Sequence, residues 1–521
     1  MKKNSFIYST IVLIVANFLV RFLGFVYKIL LSRYLGSEGI GLYHLVFHAF
    51  LVIVTVTSSG IPVAVSKITA QKMVQKDYKG CKKTLLMSVL LGLSLSLILC
   101  MLIYQNMDIL IKYLIKSSKL KNSLLVLIPA IPIVTLSSII RSYFYGIKNV
   151  IPSASSQIVE QLARIIFVLS VLYYFQPQDL KLSVMIATLG IAIGEIGGLL
   201  ILLFKLGFSN LHGSSIIKRG VSLNSSADIL WKIIVISIPI TLSRLVSVLM
   251  QSANMFLVPH RLQVAGLTLE QSVTTFGEVV GMTMPLLFLP FIVTSAFVVN
   301  LVPNISAENA LMKSTNIELK SILAIRVALI IAVPIAFIFF FFSKPICSFL
   351  YDKPSVGNYL RYLSVTVIFL SLHHIIAGIL HGLGKQILTT INYLIGMSIH
   401  FVCIYYLVAM PSFGINGFII GFIISSLLTL LLNFISLRYF ITLRIKFFKY
   451  ILSPIISSIF MTLLIVLGNK YCMSLGLSLG LSILLPTLAG GLVYWICIIM
   501  TGCIKIKTIK YILSVNKNKW T

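Results

Sequence analysis

Arg21 and Arg244 each lie about midway along an apolar run, and Lys28 and Gln251 follow them at the same spacing. A bare guanidinium in hydrocarbon costs at least ~2.5–3.5 kcal/mol, so a mid-membrane arginine faces a bundle interior or a wet cavity. Arginine grips phosphate oxygens bidentately, and lysine adds a point charge. Arg21, Lys28, Arg244 and Gln251 therefore form the candidate substrate-binding set, and the substrate they suit is an anion. The competing reading is structural, with each arginine paired to a carboxylate or capping the carbonyls of a broken helix.

The other buried charges divide by spacing. Glu160 and Arg164 stand i, i+4 on one helix face, flanked by Gln157 and Gln161, and are expected to neutralise each other. Arg141 and Arg326 fall near span ends, from which they can snorkel to water. Glu195 and Glu278 have no basic neighbour in their own spans. Each is a candidate for ion coupling, or a partner for a buried arginine contributed by another helix. His44 and His48 have metal-ligand spacing without a third ligand nearby, so no metal site is expected. There is no phosphate-binding glycine loop, nucleophile elbow, cysteine–histidine pair or acidic metal cluster. Their absence points to transport in place of catalysis, with no cofactor.

The elements that hold these residues are set by composition. Of 521 residues, 58% are hydrophobic and 10% charged, with a mean hydropathy of +1.04. No soluble domain carries that balance. Fourteen apolar runs are expected, at roughly 6–35, 40–66, 84–104, 123–145, 153–175, 182–204, 229–257, 274–302, 321–343, 359–381, 387–410, 414–437, 451–471 and 479–503. The fold expected is an all-α polytopic membrane protein. The first run is basic at its start and lacks a small-residue cleavage site, so it reads as an uncleaved span. The net charge of +30 suggests basic cytoplasmic loops, with no nucleic-acid partner. Most Lys and Arg fall on the side that an inside N-terminus makes cytoplasmic; Lys112, Lys116, Lys119 and Lys121 are the exception. Both termini are then cytoplasmic. The tail, KIKTIKYILSVNKNKW, reads as a positive anchor or as a segment lying on anionic lipid. The seven cysteines are scattered and read as free thiols.

An internal repeat organises the spans. Thr57-Ser58 through Lys67-Ile-Thr-Ala-Gln71 matches Thr294-Ser295 through Asn304-Ile-Ser-Ala-Glu308. Ile139-Ile140 through Lys148 matches Ile375-Ile376 through Lys385, and Gly190/Gly194 match Gly417/Gly421. Six spans per copy is even, so the copies insert the same way up as a parallel repeat with a central site. The expected division is an N-terminal lobe at 1–204, a basic linker at 205–228, a C-terminal lobe at 229–450, two extra helices at 451–503 and a basic tail at 504–521. Gly60-Ile-Pro62, Pro239, Pro285 and Pro290 are placed to bend helices.

Arg21-Phe-Leu-Gly-Phe-Val-Tyr-Lys28, Leu35-Gly-Ser-Glu-Gly-Ile-Gly-Leu-Tyr43 and Gly60-Ile-Pro-Val-Ala-Val-Ser-Lys67 closely resemble the stage V sporulation protein B family. Gly382-Leu-Gly-Lys385 and Gly414-Ile-Asn-Gly-Phe-Ile-Ile-Gly421 fit it too. That family sits in the multidrug/oligosaccharidyl-lipid/polysaccharide exporter superfamily and is similar to lipid II flippases. The resemblance implies fourteen helices in two lobes, alternating access, a polyprenyl-linked cell-wall precursor as cargo and a role in spore cortex formation. It also implies that Arg21 lines the central cavity. The flippases' next basic residue falls at Tyr27 here, with Lys28 one step on, about 100° round the helix.

The leading expectation is a non-enzymatic flippase for an undecaprenyl-pyrophosphate-linked glycan, with lipid II foremost, in the bacterial cytoplasmic membrane. Its partners would be the lipid-linked oligosaccharide, membrane lipids and cell-wall synthases. The alternatives are a flippase for another lipid-linked polysaccharide unit and a non-transporting scaffold for cell-wall synthesis. A cation exporter would want carboxylates in its cavity, which the basic bias disfavours.

Overall fold

The computed structural model describes residues 4–110, 120–211, 223–312, 314–444 and 448–503. Part of the expected linker, the basic tail, and Lys112, Lys116 and Lys119 lie outside them. Among the described residues every regular element is helical. Twelve helices are long and apolar enough to cross a membrane, thirteen when the pair 356–363 and 366–382, bent by 49°, counts as one span. The chain is a multi-pass membrane protein.

The chain forms two compact units, Met1–Gly277 and Glu278–Thr521. The first contains α1 (Asn4–Ser58), α2 (Gly60–Val74), α3 (Tyr78–Gln105), α4 (Met107–Leu110), α5 (Lys121–Leu127), α6 (Ala130–Gly146), α7 (Ile151–Phe175), α8 (Leu180–Leu211), α9 (Leu223–Val264) and α10 (Leu269–Phe276). A π-helical turn, Gly277–Thr283, follows. The second contains α11 (Met284–Leu287), α12 (Pro290–Ala310), α13 (Ser314–Phe341), α14 (Ser343–Tyr351), α15 (Val356–Leu363), α16 (Thr366–Gly382), α17 (Gln386–Tyr406), α18 (Ile415–Phe440), α19 (Ser453–Ser474) and α20 (Leu479–Met500).

The fourteen expected runs differ from these helices at the breaks. The first two runs merge into one helical stretch, Val15–Val74. They are separated inside it by Gly36, whose φ of 67° and ψ of −175° leave the helix. That backbone is costly for any residue with a Cβ, which is why glycine occupies it. Pro129, Pro285 and Pro290 stand at helix restarts, where a missing N–H costs nothing. Pro239, in contrast, lies within an uninterrupted α9. There it removes one i→i−4 hydrogen bond, and its ring crowds the carbonyl four residues back.

The boundary between compact units also differs from the lobe boundary drawn by the repeat. α9 packs on α1, α2 and α3. Ile229 and Ile233 of α9 join Ile61, Ala64, Val65 and Ile68 of α2 in one core. A glycine at 60 permits this approach, because a Cβ there would strike the Ser237 carbonyl and the Thr241 hydroxyl of α9. The Gly60 amide instead donates to Thr241 Oγ1 at 3.2 Å. The helix carrying Arg244 therefore belongs to the same compact unit as the helix carrying Arg21.

The repeat itself recurs as packing within each unit. In the first, a Cβ on Gly146 of α6 would meet Ser66 and Thr69 of α2. In the second, one on Gly382 of α16 would meet Val302 and Ile305 of α12. Gly194 of α8 lies against Glu160 and Arg164 of α7, as Gly421 of α18 lies against His400 and Cys403 of α17. Thr57 pairs with Thr135 of α6 at 2.7 Å, and its repeat partner Thr294 pairs with His374 of α16 at 3.2 Å.

Two predictions follow from the connections. Replacing Gly36 by alanine should destabilise the protein in detergent by roughly 1–2 kcal/mol, since the left-handed backbone and not space is the constraint. Gly207→Ala, at an exposed helical position with open space, should leave the thermal midpoint unchanged or raised. The second concerns Asp77, between α2 and α3. Its carboxylate accepts from Lys72 Nζ at 2.9 Å and from the Gly80 amide at 2.8 Å. The Lys72 bond first, then the amide, holds this carboxyl below the usual range. A depressed folded pKa gives stability that is full above the unfolded value near about 3.9 and is lost as pH falls through the folded one. Asp77→Asn should lower the thermal midpoint at pH 7, and the gap from wild type should close in acid.

Candidate functional site

The first unit carries its buried charge in two groups. One is neutralised. Arg141 of α6 donates to Glu160 Oε2 at 2.6 Å and, through Nε, to Ser156 Oγ at 3.2 Å. Arg164 donates to Glu160 Oε1 at 3.0 Å. Glu195 of α8 lies 3.7 Å from Arg141. The result is two arginines and two carboxylates, each side chain no more than 16% exposed, joining α6, α7 and α8. Arg141, expected from sequence to snorkel, is held inside by this network. The reason is that two carboxylates on neighbouring helices converge on it, which position along one helix cannot disclose. Glu195, without a basic neighbour in its own span, finds one on α6. Arg164 also faces Tyr27 and Tyr43 of α1, so the network reaches the first helix.

The second group is cationic. Arg21 and Lys28 are two turns apart on one face of α1, before the Gly36 break. Arg21 is exposed on the unit surface and Lys28 half-buried. Arg244 and Gln251 occupy matching places on α9, which packs along α1; Arg244 is exposed and Gln251 half-buried. Among the described residues, Lys28 and Arg244 have no ion-pair or hydrogen-bond partner. An arginine exposed halfway along a spanning helix is tolerable where water reaches it. Arg21, Lys28, Arg244 and Gln251 belong to one compact unit; the part of α1 that lines a cavity with Leu249, Ser252 and Phe256 of α9 is Ala49, Phe50 and Ile53, beyond the Gly36 break.

Glu278, the other candidate for ion coupling, lies in the second unit. Its Oε1 accepts from Lys353 Nζ at 3.1 Å. That unit also carries an uncharged polar chain. Asn392 of α17 donates to Asn433 and Ser436 of α18 at 2.8 and 3.1 Å, and Asn433 meets His373 of α16 at 2.8 Å. Sequence reading passed over this chain because its members are far apart and match no motif. No group of three or more metal-ligating side chains occurs among the described residues.

The network makes a stability prediction. Glu160→Gln removes the carboxylate shared by two buried arginines, and breaking such a group by deleting one partner costs about 3–5 kcal/mol. Glu278→Gln should cost far less, because its partner Lys353 is 40% exposed. Thermal unfolding of both variants in detergent should separate them in that order.

Residues 6–306 match the family described as Polysaccharide biosynthesis protein, and residues 239–406 match MatE. Two proteins of Bacillus subtilis (strain 168) are similar along most of their lengths. Stage V sporulation protein B is 28% identical over 87% of each chain. Lipid II flippase MurJ is 23% identical over 82% of each. Among solved structures, an inward-facing multidrug resistance MATE family transporter of the MOP superfamily superimposes with a TM-score of 0.65 at 17% identity, covering 80% of this chain and 93% of that one. The fold is that of these transporters. Since the first match spans more than half its length, the chain belongs to the polysaccharide biosynthesis protein family.

Proposed function

We propose that the protein is a flippase that carries an undecaprenyl-pyrophosphate-linked cell-wall precursor across the bacterial cytoplasmic membrane by alternating access. Lipid II is the leading cargo and spore-cortex peptidoglycan its destination. The observation that carries the reading is the cationic group on α1 and α9. Lys28 and Arg244 stand within apolar spans with no protein counterion among the described residues. A pyrophosphate supplies the missing charge, and its oxygens suit the guanidinium fork. Similarity to stage V sporulation protein B and to the lipid II flippase supports the cargo class and the sporulation role. The termini are assigned to the cytoplasm by the positive-inside bias. Cell-wall synthases are the partners such a flippase would feed.

The repeat-defined lobes, 1–204 and 229–450, are the units proposed to alternate; α9 is the element that the repeat assigns to the second lobe and the packing to the first compact unit. Glu195 is the stronger candidate for ion coupling. Its Oε2 is buried without a hydrogen bond, while Glu278 is bonded to Lys353. Protonating a buried carboxylate removes a costly charge and can bias a conformational equilibrium. A flippase for another lipid-linked polysaccharide unit would use the same cationic group. A scaffold for cell-wall synthesis would have no use for it.

Arg21→Gln and Arg244→Gln, folded and inserted, should each slow flipping of the labelled precursor in proteoliposomes by roughly 10- to 100-fold, the worth of one charged hydrogen-bonding contact. Arg→Lys should recover part of the rate, since charge survives and the fork does not. Wild-type rates in both glutamine variants would remove the anion site and the reading with it.

A further inference from the structure

The helix breaks at Gly36 (φ 67°, ψ −175°), and residues from its two sides come together. Lys28 and His44 are equidistant from Gly36 along the chain, and had the helix continued straight they would be about 24 Å apart. Lys28 instead lies within electrostatic reach of both His44 and His48. Tyr27 and Tyr43, the residues just before Lys28 and His44, also lie together, facing Arg164.

The two histidines sit one turn apart with ring centroids 6.4 Å from each other. Tyr43 packs edge-on to His44 at 5.8 Å, and Phe47 edge-on to His48 at 6.0 Å. These aromatic walls hold the rings in place. His44 is 7% exposed. Yet His44 Nε2 and His48 Nδ1 are buried with no hydrogen-bond partner, and Lys28 has no ion pair among the described residues. A buried polar nitrogen left without a partner is costly, and a charged one more so. The nearest buried carboxylates on α7 and α8, Glu160 and Glu195, are already engaged by Arg141 and Arg164. The cluster therefore presents nitrogen donors with no acceptor of its own. A metal cation does not suit it, because the Lys28 ammonium stands beside the imidazoles.

We propose that Lys28, His44 and His48 form one anion subsite, which takes the pyrophosphate of the lipid-linked cargo. Each imidazole donates an N–H from the tautomer that suits it, without carrying charge, and Lys28 supplies the positive charge. Arg21, two turns from Lys28 on the same helix, grips from the next level. The inference rests on the flippase reading and adds to it the two histidines as residues that recognise the phosphate group.

The test is binding by the full chain in nanodiscs, with undecaprenyl pyrophosphate and inorganic pyrophosphate as probes. Lys28→Gln should raise the Kd for undecaprenyl pyrophosphate roughly tenfold or more. His44→Phe and His48→Phe, which keep the ring packing and remove the donors, should each raise it about 3- to 10-fold. His44→Gln, which restores an N–H near the Nε2 position, should recover most of the loss; a purely structural histidine would not behave so. Inorganic pyrophosphate competing with the lipid assigns the subsite to the pyrophosphate group alone; competition by the lipid only assigns it to the group presented on a tail. Wild-type affinity in all three variants, with unchanged thermal midpoints, overturns the subsite. If Arg21→Gln and Arg244→Gln still lose binding in that case, the flippase reading stands without it. Failure of the wild-type protein to bind undecaprenyl pyrophosphate sinks that reading and the subsite together.

Discussion

The constraint on which this molecule turns is charge balance in a medium that solvates charge poorly. The chain has 42 Lys and Arg against 12 Asp and Glu. Inside the first compact unit, Arg141 and Arg164 take up Glu160 and Glu195, and the four become a neutral brace between α6, α7 and α8. Pairing of this kind makes buried ions tolerable. It also leaves Lys28 and Arg244 without a carboxylate among the described residues. The cations that remain stand on α1 and α9, and an anionic cargo is what would neutralise them.

The backbone serves that arrangement. Gly36 breaks α1, and Lys28 before the break acts electrostatically on His44 and His48 after it. Gly60 lets α2 and α9 approach closely enough for a backbone amide to bond a threonine side chain. The second unit repeats the helix contacts of the first, with Gly382 and Gly421 in the roles of Gly146 and Gly194, and joins α16, α17 and α18 through neutral amides and a histidine where the first unit joins α6, α7 and α8 through ion pairs. One repeat has kept the packing and changed the electrostatics. The arginine–carboxylate brace belongs to the unit that carries Arg21, Lys28 and Arg244.

Much of this was legible in the sequence. Apolar runs of spanning length fix an all-helical membrane protein, because only closed backbone hydrogen bonding survives in hydrocarbon. The short matches that define the repeat reappear as equivalent glycine contacts. The i, i+4 spacing of Glu160 and Arg164 brings them together on one helix face, as such spacing does. What the sequence could not disclose depends on neighbours from other helices. Arg141 reads as a snorkelling residue until α7 and α8 supply its carboxylates. His44 and His48 read as an incomplete metal pair, because the lysine that acts on them lies across the break at Gly36. The unit boundary at Gly277 is likewise a matter of packing, since α9 is second-half in sequence and first-unit in contacts.

The central claim is that an anionic lipid headgroup is carried because Lys28 and Arg244, cations without a carboxylate among the described residues, await it. The most direct measurement compares two fluorescent lipids in proteoliposomes of the wild-type protein, one a polyprenyl-pyrophosphoryl glycan and the other the same glycan on a neutral polyprenyl linkage. Loss of fluorescence to a membrane-impermeant quencher reports arrival in the outer leaflet. The account predicts rapid, protein-dependent flipping of the pyrophosphate lipid and flipping of the neutral one no faster than in empty liposomes. Equal protein-dependent rates for the two lipids would contradict it.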